Sequence, residues 1–289
     1  MAFTILLASV TIVARSRSRT FCTLSGVGWG NPLNMRLLLI SDIHANLEAL
    51  ETCLSVAPAH DRVVNLGDVV GYNASPNEVC ERVIAMGAPV VRGNHDRACS
   101  GMTDVKDFNP VAAISAYWTR NSLKPEHLEW LRALPQGPLR SHDFPGMEFV
   151  HGSPSDEDEY LLNTSSADDN LELPEHAPLI FFGHTHIQGG FIDEQGESRP
   201  FRPIYDSLEG AVQYTLWLTP GERYLINPGS VGQPRDNDWR SAFALYEHNG
   251  GPLASVTFYR VPYDIEQTQQ RILSAQLPER LAARLKIGR

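Results

Sequence analysis

Five short polar motifs, each following directly on an apolar run, constrain the fold of this chain more than any other feature. The motifs are Asp42-Ile-His44, Gly67-Asp68, Gly93-Asn94-His95-Asp96, His151-Gly152 and Gly183-His184-Thr185-His186. Short apolar runs bounded by turn-forming residues are typical of buried strands. The pattern therefore predicts several buried strands whose ends carry polar side chains.

Helical segments separate the first apolar runs. Residues 45–57 place Leu47, Leu50 and Leu54 at helical spacing. Residues 76–86 begin with a proline and carry an acidic residue in the first turn, as helix N-termini do. Strand–helix–strand units of this length imply parallel strands joined by right-handed crossovers. We expect the strands to lie at residues 37–40, 63–66 and 89–92.

The second half of the chain is predicted to be richer in strands. A helix-rich segment covers residues 110–134, with Pro125 at the start of its second helix. Strands are expected at residues 147–150, 179–182, 224–226, 242–246 and 254–260. Parallel units followed by antiparallel strands predict an α/β fold of two packed mixed sheets with helices outside.

Residues 1–34 differ from the rest of the chain. The apolar stretch at residues 5–14 is too short to cross a bilayer, and its arginines follow it, whereas a secretory signal has its charges first. We predict that residues 1–34 are a disordered leader or an upstream-start artefact, with an export or anchoring segment as the alternative. Residues 35–289 are predicted to form a single domain with a C-terminal helical tail at 264–289.

Charge and cysteine content limit the partners and the location. The formal net charge of −10 argues against non-specific nucleic-acid binding, which needs a basic surface. The four cysteines show no Cys-x-x-Cys spacing, as expected of reduced thiols in a cytoplasmic protein. We expect no membrane partner. The acidic residues 155–159 are expected to form a solvated loop.

The motifs supply carboxylate, amide and imidazole donors at one edge of the predicted sheets, because ligands of such folds bind beyond the carboxyl ends of the strands. This donor mixture suits manganese, iron, zinc or nickel better than magnesium or calcium. Asp68 is the natural bridging ligand, since a carboxylate offers two oxygens. Two divalent ions about 3.5–4 Å apart are a standard device for phosphate-ester cleavage.

The ordered set of motifs resembles the calcineurin-like metallophosphoesterase superfamily and is most similar to its small bacterial phosphodiesterase-like branch. The resemblance covers most of residues 35–260 and implies a four-layer α/β/β/α sandwich, the metallo-dependent phosphatase fold. It implies that Asp42, His44, Asp68 and His186 hold one metal ion and that Asp68, Asn94, His151 and His184 hold the second. It also implies that His95 is the catalytic residue on the leaving-group side and that Asn94 and His95 contact the substrate.

Two features near these motifs leave alternatives open. Where protein-phosphatase members have an aspartate that orients the catalytic histidine, this chain has Gly71, so Asp96 or a main-chain carbonyl is expected to take that role. The loop at residues 227–232 either presents main-chain N–H groups to phosphate, with Arg235 as a substrate clamp, or is a structural turn followed by a surface arginine.

The resulting function is a dinuclear metal-dependent phosphoesterase that hydrolyses a phosphodiester or phosphomonoester, with nucleotides among the candidates, by attack of a metal-activated water on phosphorus. A non-catalytic scaffold of the same fold is the alternative, and a hydrolase of another bond is a third reading. The scaffold reading is weakened by the presence of His95 and of all seven implied ligands.

Overall fold

The computed structural model describes residues 34–289 except residues 107, 174 and 252. The predicted leader at residues 1–34 therefore lies outside the described residues, apart from Asn34. The strands are β1 (Met35–Ile40), β2 (Arg62–Asn65), β3 (Met147–Phe149), β4 (Leu179–Phe181), β5 (Gly189–Glu194), β6 (Glu197–Phe201), β7 (Val212–Leu218), β8 (Arg223–Asn227), β9 (Ser241–His248) and β10 (Ala254–Val261). The helices are α1 (Leu47–Val56), α2 (Pro76–Met86), α3 (Asn94–Ser100), α4 (Pro110–Ser122), α5 (Pro125–Arg132), α6 (Thr164–Leu171), α7 (Ile265–Ser274) and α8 (Glu279–Leu285).

The strands form two mixed five-stranded sheets. The first has the order β2-β1-β9-β10-β7, with β1 and β2 parallel and the other pairs antiparallel. The second has the order β3-β4-β8-β5-β6, with β3, β4 and β8 parallel. The carboxyl ends of the parallel strands carry the polar motifs.

Alternation along β1 explains the layers. Leu37 and Leu39 are buried against residues of the second sheet, whereas Leu38 and Ile40 are buried against the helices that cover the first sheet. Successive side chains of a strand point to opposite faces, so an unbroken apolar run indicates a strand covered on both sides. Helix α6 covers the outer face of the second sheet through Leu171. The predicted four-layer α/β/β/α sandwich of two mixed sheets is confirmed.

The predicted strand at residues 89–92 is wrong. Val90 makes a single parallel bridge with Asn65, and the N–H of Arg92 leaves the ladder to bond the carbonyl of Pro135. Pro89 has no N–H to donate, which shortens the pairing further. The chain turns instead into α3, a helix that the sequence pattern did not predict.

The C-terminal segment folds back toward the polar loops. Helices α7 and α8 are separated at Pro278. Their apolar residues Ile272, Leu281 and Leu285 are buried in one cluster with Tyr72, which lies four residues after Asp68. In the part of the chain that the structure describes, no helix combines the length and the apolar character needed to cross a membrane.

Candidate metal centre

The predicted ligand side chains come from loops at the ends of strands in both sheets. Asp42 and His44 follow β1, and Asp68 follows β2. Asn94 begins α3, where its side chain is half-buried. The remaining three ligands follow β3 and β4, and every predicted ligand apart from the asparagine is at most 3% exposed: Asp42, His44, Asp68, His151, His184 and His186.

Two groups of side chains meet around Asp68. The donor atoms of the first group all lie within 4.8 Å of one another, and its members are Asp42, His44, Asp68 and His186. The same limit holds for the second group, Asp68, His151 and His184. The Oδ1 atom of Asn94 lies 3.3 Å from Nε2 of His151. The structure thus brings all seven predicted ligands into two adjacent groups that share one carboxylate.

Main-chain carbonyls fix three of the four histidines through Nδ1. The Nδ1 atoms of His44, His151 and His186 lie 3.1, 2.8 and 2.6 Å from the carbonyl oxygens of Val70, Leu66 and Gln233. A carbonyl only accepts, so each Nδ1 carries a proton, and wherever the ring is neutral Nε2 is the unprotonated nitrogen. Such partners set the tautomer and orientation of metal-binding histidines.

The contact between His44 and His186 is the most informative in the centre. Their Nε2 atoms lie 3.1 Å apart. Burial holds the pKa of both imidazoles well below its usual value, so both rings are neutral. With both protons on Nδ1, two lone pairs face each other at hydrogen-bond distance with no proton between them. That arrangement is repulsive by itself and fits a cation that both nitrogens coordinate.

Carboxylates complete the first group. Oδ1 of Asp42 lies 3.4 Å from Nε2 of His186, and Oδ2 of Asp68 lies 3.5 Å from Nε2 of His44. The buried Oδ2 of Asp42 has no hydrogen-bond partner among the described residues. Burial raises the pKa of Asp42 to about 6 despite the opposing effect of His151. The donor set fits a divalent transition metal.

In the second group, His184 presents Nδ1 rather than Nε2 as its free donor atom. Nε2 of His184 lies 3.1 Å from the carbonyl oxygen of Asp158 and donates to it, which leaves Nδ1 of His184 as the free donor atom. Nε2 of His151 lies 3.4 Å from Oδ2 of Asp68. Burial opposes protonation of His151, but the Asp68 carboxylate outweighs it and raises the pKa of His151 to about 10. A proton on His151 balances the negative charge of the Asp68 carboxylate. A metal ion held by the second group would balance the same charge.

Backbone strain is concentrated in the same loops. Five of the seven predicted ligands have positive φ: Asp42 (53°), His44 (49°), Asp68 (54°), His184 (64°) and His186 (59°). Left-handed backbone is uncommon outside glycine, and clusters of such residues mark functional sites. Gly93 lies against the Asp68 carboxylate, and any Cβ at this position would collide with it. The loops are therefore shaped around the donor atoms.

His95 is held by ring packing. Its ring centroid lies 4.3 Å from that of Tyr72, 4.8 Å from that of Phe108 and 4.9 Å from that of His44. Its Nδ1 is buried without a hydrogen-bond partner among the described residues, and burial lowers the pKa of the ring to about 4. A Cβ on Gly71 would lie 2.6 Å from that Nδ1, so the missing aspartate position is filled by the imidazole itself.

Asp96 does not orient His95, contrary to one of the two expectations from the sequence. Its carboxylate instead accepts hydrogen bonds from the main-chain N–H groups of Asp68, Val69, Val70 and Gly93 at 2.9–3.3 Å. No main-chain carbonyl takes the orienting role either, since Nδ1 has no partner in the described chain. Asp96 therefore shapes the loop that carries Asp68.

The loop at residues 227–232 is structural. The N–H of Val231 bonds the carbonyl of Ser41, and that of Gly232 bonds the carbonyl of Asp42, so these groups are not available to phosphate. Arg235 follows the loop and is half-buried, with its guanidinium carbon 5.6 Å from the ring centroid of Tyr72. Its Nε is buried without a partner among the described residues. Arg235 therefore lies beside His95 and the candidate metal ligands.

Residues 155–159 form a largely exposed loop, as predicted, but two of its acidic side chains are paired. Glu157 bridges Arg92 and Arg97 at 3.0 and 2.9 Å, and Asp158 pairs with Arg97. These ion pairs hold the loop against the start of α3. They therefore fix the position of the Asp158 carbonyl, which accepts the hydrogen bond from His184. The sequence pattern does not reveal this network, because the partners are 60 or more positions apart.

Comparisons with known proteins agree with this geometry. A family model described as the calcineurin-like phosphoesterase superfamily domain matches residues 35–250. The chain belongs to this superfamily. The calcineurin-like chain is similar to an uncharacterized protein of Methanocaldococcus jannaschii, with 34% identity over 262 residues that cover 88% of this chain and 98% of the relative.

Two solved structures share the calcineurin-like fold. A metallophosphoesterase from Sphaerobacter thermophilus matches with a TM-score of 0.73 and 39% identity, covering 89% of this chain and 100% of the other. A hypothetical protein from Pyrococcus horikoshii matches with a TM-score of 0.67 and 19% identity, covering 88% and 98% of the two chains. The second match supports the fold alone.

Proposed function

We propose that this chain is a dinuclear metal-dependent phosphoesterase that hydrolyses a small phosphodiester or phosphomonoester. The observation that carries the proposal is the pair of facing Nε2 atoms in His44 and His186, because two buried neutral imidazoles whose Nε2 atoms lie 3.1 Å apart fit a cation that both coordinate. The shared carboxylate of Asp68 and the family membership support two ions rather than one.

We assign the ligands as two sets that share one residue. The first ion would be held by Asp42, His44, Asp68 and His186, and the second by Asp68, Asn94, His151 and His184. When bound, such a pair of metal ions lowers the pKa of a water molecule, which can then act as the nucleophile. The ions also supply positive charge to the phosphoryl oxygens. Imidazole-rich donors favour manganese, iron, zinc or nickel.

The other polar groups would act on the substrate. A neutral His95 has one N–H, which donates a hydrogen bond toward the leaving oxygen. The half-buried Asn94 offers an amide on the same helix terminus, and Arg235 offers N–H groups to a phosphoryl oxygen. Burial of these groups excludes water and strengthens each interaction with a developing negative charge.

A cytoplasmic location is also proposed. Cys53, Cys80 and Cys99 are free and buried, as expected of a chain that does not depend on disulfides. Burial raises the pKa of Cys53 to about 12, so its thiol is unreactive. Cys22 lies outside the described residues.

The experiment that tests the proposal compares activity with metal content. The purified chain would be stripped with EDTA, reloaded with manganese, and assayed on para-nitrophenyl phosphate and bis(para-nitrophenyl) phosphate. Turnover of either ester that depends on the metal supports the proposal, and their ratio separates phosphatase from phosphodiesterase. Asp68→Asn should abolish the turnover of both esters. Metal binding without turnover of any ester would favour the alternative, a scaffold that mediates protein interactions.

A further inference from the structure

A second cationic region lies beside the candidate metal centre and is contributed by the C-terminal helices. Helix α8 is packed against α7, where Nε2 of Gln269 donates to the carbonyl of Ala282 at 2.6 Å. Leu281 and Leu285 of α8 are buried in the cluster that contains Tyr72. The position of Arg284 relative to Tyr72 is therefore fixed by apolar packing. Arg284 lies outside the range matched by the family model.

Two guanidinium groups share the ring of Tyr72. The guanidinium carbon of Arg235 lies 5.6 Å from the ring centroid and that of Arg284 lies 5.7 Å from it, both within cation–π range. Within the described part of the chain, neither arginine has a side-chain carboxylate within 4.0 Å, although the Nε of Arg284 donates to the main-chain oxygen of Arg289. Burial and then the charge of Arg235 lower the pKa of Arg284 to about 10. Both guanidinium groups thus lie near one aromatic ring, and the charge of Arg235 acts on Arg284.

Arg284 also lines a cavity of about 950 Å³. Three arginines face it, namely Arg280, Arg284 and Arg289, and none of the lining residues that the structure describes is acidic. Elsewhere in the described chain, arginines such as Arg82 and Arg92 do pair with acidic side chains. A concave surface lined by guanidinium groups is suited to phosphate, which they bind with paired N–H donors.

Arg284 links this cavity to His95 through the ring of Tyr72. The ring centroid of Tyr72 lies 5.7 Å from the guanidinium carbon of Arg284 and 4.3 Å from the ring centroid of His95. The guanidinium carbon of Arg284 therefore lies no more than about 10 Å from the centre of the His95 ring. A sugar that carries two phosphates spans a separation of that order.

We propose that Arg284, with Arg235 beside Tyr72 and Arg280 in the adjoining cavity, forms a second anion subsite for a phosphate carried on the leaving group. The substrate class is then a phosphoester with at least one further phosphate beyond the scissile one. This inference rests on the proposed phosphoesterase function of the same centre. It assigns the C-terminal helices a role in substrate selection.

A pair of matched inhibitors tests the proposal. Adenosine 3′,5′-bisphosphate and adenosine 5′-monophosphate differ by one phosphate, and each would compete with para-nitrophenyl phosphate or its diester in the manganese-loaded full chain. The bisphosphate should bind about tenfold more tightly or better, because a charged hydrogen-bonded contact of this kind changes affinity by about that factor. Arg284→Gln should reduce the preference to within about threefold.

Control variants separate the outcomes. Arg82→Gln removes the same charge from the exposed face of α2, where it pairs with Glu51, and should keep the preference. Arg280→Gln changes an exposed residue of the cavity and should lower the preference at least about twofold. Equal binding of the two nucleotides by the unmodified protein, or an unchanged preference in both cavity variants, would overturn the subsite. Absence of turnover of either chromogenic ester would instead overturn the proposed function.

Discussion

The Oδ2 atom of Asp96 accepts a hydrogen bond from the main-chain N–H of Asp68 at 2.9 Å. The residue that follows the candidate catalytic histidine thus fixes the backbone of the residue shared by the two candidate metal sites. The same carboxylate accepts from the N–H of Gly93, so both loops are held by a single side chain. Buried main-chain N–H groups of this kind require an acceptor, since leaving one without a partner is costly.

We expect Asp96→Asn to destabilise the fold. An amide has one acceptor oxygen, so two of the four N–H groups now bound to Asp96 would face an NH₂ group. The free energy of unfolding should fall by roughly 2–3 kcal/mol in chemical denaturation. Asp169→Asn, on the exposed face of α6, is the matched control and should change it little. Equal stability of the two variants would show that Asp96 does not support these loops.

Gly71→Ala should reduce turnover while leaving both metal ions bound. The new Cβ would lie 2.6 Å from Nδ1 of His95 and displace its ring. Gly196→Ala is a close control, because Gly196 has φ of +92° against +93° at Gly71 but open space around its Cβ position. Backbone strain is therefore equal, and only the contact with His95 differs. We expect kcat to fall at least about tenfold in Gly71→Ala and to stay unchanged in Gly196→Ala. Equal kcat values in the two variants would exclude this steric role.

His95→Ala should lower kcat by about 10²–10⁴-fold with metal content unchanged. The loss should be larger for phenyl phosphate than for para-nitrophenyl phosphate, because a poorer leaving group depends more on hydrogen bonding at the departing oxygen. Metal content is measured by atomic spectrometry on the same samples. Equal losses on the two esters would place His95 away from the leaving group.

Glu157→Gln should weaken one metal site selectively. Glu157 bridges Arg92 and Arg97 and so fixes the loop whose Asp158 carbonyl holds His184. Supporting residues of this kind typically change metal affinity by about 10–100-fold. In a calorimetric titration with manganese, we expect the weaker of two binding steps to lose about tenfold and the other to be retained. Glu172→Gln, an exposed change at the end of α6, should alter neither step.

The sequence predicted the parts of this fold that depend on local pattern. Leu37 to Ile40 is an unbroken apolar run, which indicates a strand covered on both faces, and the polar residues after it could be assigned to the strand end. The strand at residues 89–92 was predicted wrongly because pairing depends on a partner ladder, and only Val90 finds one. An apolar run alone does not report how many neighbours bond to it.

The parts of the site that the sequence did not reveal depend on long-range contacts. The role of Asp96 has a local signal in retrospect, since an acidic residue three positions after Gly93 occupies the site that accepts N–H groups at a helix start. Glu157 and Arg284 have none, because their partners are distant in sequence and are brought near by loop and helix packing. The aromatic contacts of His95 likewise required the position of α4 and its preceding loop.

Electron paramagnetic resonance of the manganese-loaded chain tests the central claim most directly. Two ions about 3.5–4 Å apart that share the Asp68 carboxylate should give two bound Mn²⁺ per chain and an exchange-coupled spectrum. The coupling should disappear in Asp68→Asn. A single uncoupled Mn²⁺ per chain at saturation, or no tightly bound ion at all, would contradict the account.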